Sequence, residues 1–290
     1  MVMTGPRGSR FAPLFLASCA SFLGCASPPA EEPSTSAEVV YQVVEYKRVD
    51  EVVLNLHLWT PQESRPNELR PAVVFFFGGG WNGGQPSQFE PHCKRLAAAG
   101  FVACSAEYRV KSRHGTTPFE CVKDGKSALR WLRRHAADYH VDPRRIHAGG
   151  GSAGGHVAAC TGVIVGLEEE GEDLSISSRP DRMVLFNPVI DTGPQGFGHA
   201  RLGERWEEIS PLHQVHGDVP PTLIFHGTAD RTVKYEQVEA FRDAMQQAGN
   251  PCTLVGFEGK DHGFFNEGRG DGLDYEQTVT QMLEFLTATE

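Results

Sequence analysis

The run Gly149-Gly150-Gly151-Ser152-Ala153-Gly154-Gly155 constrains this chain more than any other stretch. It follows Arg145-Ile146-His147-Ala148, a short apolar run that reads as a buried strand. It precedes Ala153 to Val165, small and apolar, which reads as a helix. A chain that passes from strand to helix in so few residues must turn sharply. Gly150-Gly151-Ser152-Ala153-Gly154 is a G-x-S-x-G pattern at that junction, which predicts a strained backbone at Ser152 with its hydroxyl pushed outward. The flanking glycines let strand and helix approach closely, and the helix N-terminus sets N–H groups beside the serine. Taken alone, the pattern equally describes a passive serine in a glycine-rich turn.

The surrounding chain alternates strand and helix. Val39–Tyr46 and Val52–Trp59 read as an antiparallel hairpin. Further strands are expected at Ala72–Phe77, Phe101–Ser105, Met183–Pro188, Pro221–His226 and Cys252–Phe257. Helices are expected over Ser87–Ala99, from Pro118 onward, over Tyr235–Gln247 and over Leu273–Leu286. Arg130, Arg133 and Arg134 read as a solvated helix face, and Glu168–Asp173 as a solvated acidic loop. Val189–His216 lacks a clear period and reads as a small lid. This alternation predicts an α/β architecture, a mostly parallel sheet of about eight strands with helices on both faces.

Three residues with complementary chemistry fall just past strand ends, where open α/β sheets build their sites. Ser152 follows the Arg145 strand. Asp230 lies in His226-Gly227-Thr228-Ala229-Asp230, and His262 in Asp261-His262-Gly263-Phe264-Phe265. A serine hydroxyl is a weak nucleophile near neutral pH. A histidine can take its proton, and a carboxylate can hold the imidazole tautomer and stabilise its cation. His226 is instead expected to be a strand-end hydrogen-bond partner. Asp261 is expected to point away from its neighbour, and Asp191 is a weaker alternative acid. Gly78-Gly79-Gly80-Trp81 ends another strand and bares its backbone N–H groups. The amides of Gly79, Gly80 and Ala153 are the expected oxyanion donors, and Trp81, Phe197 and Trp206 are expected to line the cleft.

These four motifs, in this order, resemble the α/β-hydrolase superfamily over about residues 40–288. Within it they are similar to serine carboxylesterases with an HGGG-type oxyanion loop, the hormone-sensitive-lipase-like and acetyl/feruloyl-esterase-like groups. The resemblance implies an α/β-hydrolase fold and hydrolysis of short-chain carboxylic esters through an acyl-serine intermediate. It also implies an open cleft suited to a bulky alcohol such as acetylated carbohydrate. Phe77 departs from the family pattern, standing where these proteins usually carry a histidine that braces the loop. The same fold also houses amidases and peptidases of arylformamidase and prolyl-oligopeptidase type, although residues 38–60 leave no room for a propeller domain. A retained fold serving as an inactive binding module is the remaining alternative.

Composition narrows the partners. A formal charge of −10 argues against nucleic acid. The glycine runs lack a phosphate-loop Lys-Ser/Thr, and no His/Cys/Asp cluster has ligand spacing, so neither cofactor nor metal is expected. Arg7 and Arg10 precede the apolar run Phe11–Ser18, the order of an export signal, read over residues 1–24. Cys19 and Cys25 each end a lipobox-like stretch, and residues 25–38 read as a disordered tether. The expected location is therefore exported, either free or lipid-anchored. Five further cysteines give an odd number with no assignable pairing.

Overall fold

In the computed structural model, β1 (Val39–Val49) and β2 (Val52–Pro61) form the expected antiparallel hairpin, and β2 pairs antiparallel with β4 (Val102–Ala106). The structure describes residues 38–62 and 68–288, together with 1, 2 and 5. The export signal expected over 1–24, the tether over 25–38, and Cys19 and Cys25 thus lie almost wholly outside the described residues. The chain divides after Thr35, and the sheet and its helices belong to the unit Ser36–Glu290.

Every other pairing is parallel. The remaining strands are β3 (Arg70–Phe76), β5 (Val141–Gly151), β6 (Met183–Phe186), β7 (Thr222–Gly227) and β8 (Cys252–Phe257). Among the described residues the sheet has eight strands in the order β1-β2-β4-β3-β5-β6-β7-β8. The helices are α1 (Glu90–Ala98), α2 (Lys111–His114), α3 (Pro118–Arg134), α4 (Ala153–Val163), α5 (Tyr235–Gln247) and α6 (Leu273–Thr287). The helix expected from Ser87 opens as a 3-10 turn over Pro86–Phe89 and becomes α-helical at Glu90. Pro118 starts α3 behind a capping box in which the Thr117 amide donates to Glu120 Oε2 at 2.8 Å.

Alternation along the strands sorts the core into two faces. Val74, Phe76, Leu185 and Ile224 pack with α3, α4 and α5. Their sequence neighbours Val73, Phe75, Val184 and Phe225 pack with α1 and α6. Where central strands are covered on both faces, as at Ala72–Phe76 and Met183–Phe186, they are apolar throughout, as parallel sheets require. This is the α/β-hydrolase fold.

The arginines of α3 and the acidic loop are not the solvated features expected. Lys126 and Arg130 are buried, and both pair with Glu168, at 2.8 and 2.7 Å; Arg130 also meets Glu172. Beside them Lys47 and Arg109 share the wholly buried Asp124 and also reach Glu169, at 2.7 and 2.5 Å. A buried cation is tolerated only when paired and hydrogen-bonded, so the loop folds down onto α3 to supply the partners. Arg134 alone of the three arginines stays well exposed.

Candidate active site

Ser152 sits between β5 and α4 with φ 56° and ψ −120°, the strained turn expected of its pattern. Its amide donates to the Phe186 carbonyl at 2.9 Å, tying the turn to β6. The glycines around it are required by contact. A Cβ on Gly154 would lie 2.0 Å from the Phe76 carbonyl oxygen, and one on Gly150 would lie 2.4 Å from that of Gly154. Any side chain at either place would drive α4 off the sheet and move the serine.

The structure brings Ser152, His262 and Asp230 together from three strand ends. His262 Nε2 is 2.9 Å from Ser152 Oγ, and His262 Nδ1 is 2.7 Å from Asp230 Oδ2. The other Asp230 oxygen accepts the Thr232 and Val233 amides at 2.8 and 3.0 Å. Burial pushes the Asp230 carboxyl up, but the His262 and backbone hydrogen bonds outweigh it and hold the group below its ordinary value. It is therefore a carboxylate at neutral pH, facing Nδ1. This orients the ring with Nε2 free to take the serine proton.

The rivals take other places. His226 is fully buried at the end of β7, with Nε2 2.9 Å from the Val233 carbonyl and 3.3 Å from Asp230 Oδ2. Burial lowers its pKa, so it stays neutral and donates to the backbone that holds Asp230. Asp261 is exposed. Asp191 accepts the Gly193 amide at 2.7 Å and lies 3.9 Å from His213, while the acid on His262 is Asp230.

The glycine loop runs beside the serine. A Cβ on Gly78 would lie 3.3 Å from Ser152 Cβ. Gly79 and Gly80 take φ values of 129° and 60°, and Ala153 begins α4. Backbone amides from the loop and the helix N-terminus thus flank the nucleophile. Phe77 stacks on Tyr108 with centroids 4.2 Å apart, and the Tyr108 hydroxyl donates to the Phe77 carbonyl at 2.5 Å. Aromatic packing braces the loop at the position where the resembling family uses histidine.

A cleft of about 680 Å³ opens over Ser152 and His262, lined also by Gly78, Gly79, Gly80 and Phe197. Trp81 and Trp206 do not line it. Trp81 is 1% exposed, its ring packed against His156 and Phe197, so it supports the cleft wall from behind. Trp206 packs against His213 and His199 within the 189–216 segment, which forms three 3-10 turns. The segment's irregular sequence could not show which aromatic faced inward.

Sequence reasoning also missed Gln88, Asn187, Asn266 and Arg269 in the cleft wall. Gln88 Oε1 accepts the Gly78 amide at 2.7 Å, and its Nε2 donates to Asn266 Oδ1 at 3.0 Å. Asn187 Oδ1 accepts the Gly263 amide at 2.9 Å. Single polar residues on loops carry no periodic signal. The Asn187-Pro188 pair at a strand end was the one available hint. Among the described residues no group of three or more His, Cys, Asp or Glu side chains is placed to hold a metal ion, and the five cysteines are buried free thiols.

Fold and site together define a serine hydrolase of the α/β-hydrolase class. Two overlapping family models match the chain: BD-FAE over residues 56–199, which hold the glycine loop and Ser152, and the prolyl oligopeptidase family over residues 190–288, which hold Asp230 and His262. The apo form of Thermogutta terrifontis esterase 2 is 48% identical, with a TM-score of 0.82, over 86% of this chain and 97% of that one. Structures of the same esterase carry paraoxon-derived phosphorylation or bound butyrate. Esterase LipC of Mycobacterium tuberculosis is 28% identical over 72% of this chain and 56% of its own length. A probable isoprenylcysteine alpha-carbonyl methylesterase of Oryza sativa is 30% identical over 67% of this chain and 51% of its own. The chain spans about half the length of the curated relatives it matches. It belongs to the α/β-hydrolase serine carboxylic ester hydrolases.

Proposed function

We propose that this protein hydrolyses short-chain carboxylic esters through an acyl-serine intermediate. The observation that carries the reading is the hydrogen-bonded relay from Ser152 Oγ through His262 to Asp230. Ser152 Oγ attacks the acyl carbon as His262 Nε2 takes its proton. The oxyanion that forms meets the Gly79, Gly80 and Ala153 amides, each worth about 10²–10³ in kcat in comparable sites. The imidazolium, stabilised by Asp230, gives its proton to the departing alcohol oxygen. Water then enters, His262 takes its proton, and the acid leaves as Ser152 regains its hydrogen.

Phe197 and Phe265 line the cleft and give it apolar wall for a short acyl group. The related Thermogutta esterase has been seen with propionate and butyrate bound. The open cleft also admits a bulky alcohol, and acetylated carbohydrate is the substrate we favour, reached by an exported or lipid-anchored protein. Export is checked by fractionation of cells expressing the full chain, with Cys19→Ala and Cys25→Ala testing the anchor.

The deciding experiment measures initial rates on p-nitrophenyl esters from acetate to octanoate for wild type, Ser152→Ala and Asp230→Asn. Acetate and butyrate are cleaved fastest, Ser152→Ala loses about 10⁴-fold or more, and Asp230→Asn loses about 10⁴-fold because the tautomer is no longer held. The prolyl oligopeptidase match over 190–288 makes amide hydrolysis the second reading. Cleavage of p-nitroanilides in preference to the esters would install it.

A further inference from the structure

A second cavity, of about 580 Å³, lies beside the cleft and shares Gln85 and Ser87 with it. It opens where Glu107 follows the end of β4, at the sheet edge that carries Ser152. The strands β4, β3 and β5 are neighbours, so Glu107 and Ser152 stand about 10 Å apart across the sheet, two strand spacings. A molecule held at the serine by its acyl end would enter this cavity by crossing Gln85 and Ser87.

Its wall is fixed in advance. Glu107 Oε2 accepts the Asn55 amide at 2.9 Å and Asn55 Nδ2 at 3.0 Å. His57 Nδ1 is 2.7 Å from the Tyr41 hydroxyl, and His57 Nε2 is 3.7 Å from Glu107 Oε1. The tautomer that suits both neighbours has Tyr41 donating to Nδ1 and Nε2–H turned toward the carboxylate. Glu107 Oε1 is left without a hydrogen bond of normal length and can accept one from a ligand. The Tyr41 ring packs on Trp59, with centroids 5.0 Å apart, while the residue stays 51% exposed.

The chemistry of the wall selects its occupant. Glu107 opposes an anion, while Glu90 is paired with Lys94 at 2.7 Å and Arg113 donates to the Gly84 carbonyl at 2.9 Å, so neither is a free charge for an ionic ligand. Carboxylate, amide and guanidinium groups together disfavour an apolar chain, since each would be desolvated without a partner. A neutral ligand with many hydroxyls satisfies donors and acceptors alike, and its ring can lie on a tyrosine face. We propose that this cavity is a sugar-binding subsite, taking a neutral sugar unit next to the one whose ester Ser152 cleaves. The inference rests on the ester-hydrolase reading above and names its alcohol side.

The test compares Tyr41→Ala and Glu107→Gln with wild type on two substrates, p-nitrophenyl acetate and acetylated xylo-oligosaccharide. Binding of the same oligosaccharide is measured by calorimetry in the Ser152→Ala background. The ratio of kcat/KM on oligosaccharide to that on p-nitrophenyl acetate falls about tenfold or more in each variant, mostly through KM, and binding weakens in parallel. Equal ratios in wild type and variants, or binding indifferent to Tyr41→Ala, overturn the subsite. If wild type cleaves p-nitrophenyl acetate yet neither binds nor cleaves the oligosaccharide, the subsite is refuted and the esterase stands. If wild type cleaves no ester, the esterase reading fails by itself, and calorimetry still decides whether the cavity holds sugar.

Discussion

Gln88 bridges Gly78 and Asn266, taking the Gly78 amide at 2.7 Å and donating to Asn266 at 3.0 Å. One side chain thereby ties the oxyanion loop to the loop that carries His262. Asn266 Nδ2 in turn donates to the Gly263 carbonyl at 2.8 Å, beside the histidine. Removing the bridge lets donors and base drift relative to the serine, and small misplacements in such sites cost up to about 10²-fold. Gln88→Ala is expected to lower kcat on p-nitrophenyl butyrate by about tenfold or more, with KM changing less. Steady-state kinetics on the folded variant check this.

Phe197 and Trp81 touch, with centroids 5.7 Å apart, yet only Phe197 faces the cleft. Phe197→Ala should shift the preferred acyl length toward longer chains while stability changes little. Trp81→Ala should do the reverse, costing about 3–5 kcal/mol by cavity formation before any change in preference. Acyl-length profiles and urea melts of the two variants separate the roles.

Gly154 admits no substitution, because its Cβ would meet the Phe76 backbone and not a movable side chain. Gly154→Ala is expected to lose stability by about 1–3 kcal/mol or more and to lose activity beyond that, since α4 carries the serine turn. Thermal unfolding and ester turnover on the soluble fraction measure both.

His92 is wholly buried among Phe75, Phe89, Phe186, Phe265 and Tyr275, and neither ring nitrogen finds a partner among the described residues. Burial, with Arg95 adding to it, lowers its pKa to about 3. In the unfolded chain the ring takes a proton near pH 6.5. Between those values the unfolded state binds a proton that the native state does not, so stability falls as pH drops from about 6.5 toward 3. His147, lowered to about 3, and His156, lowered to about 4, act in the same direction. His92→Leu should flatten the decline in urea-unfolding free energy between about pH 6 and 4 by about 1.4 kcal/mol per pH unit. An unchanged slope would refute the assignment.

Asp124 accepts Lys47 at 2.6 Å and Arg109 at 2.8 Å with no exposure of its own. Asp124→Ala leaves two buried cations with Glu169 as their shared acid, and should cost about 3–5 kcal/mol. Urea denaturation checks this. Glu170→Ala, on the exposed part of the same loop, should stay within about 0.5 kcal/mol.

Much of this molecule was legible because its signals are local. Strand runs such as Ala72–Phe77 are apolar throughout, since both sides of them are covered. The serine turn announces itself because only glycines clear the backbone around it, and Asp230 and His262 follow strands that end at one sheet edge. Those are consequences of period, sterics and chain order, and the sequence by itself determined them. The rest depended on distance between segments far apart in the chain. Gln88 and Asn266 are 178 residues apart, and Arg130 reads as a surface residue until Glu168 and Glu172 fold over it. Trp81 sits next to a functional loop yet turns into the core. Only the tertiary structure decided these, because the partner that satisfies a buried charge or fills one side of a ring is chosen by packing, which leaves no period in the sequence.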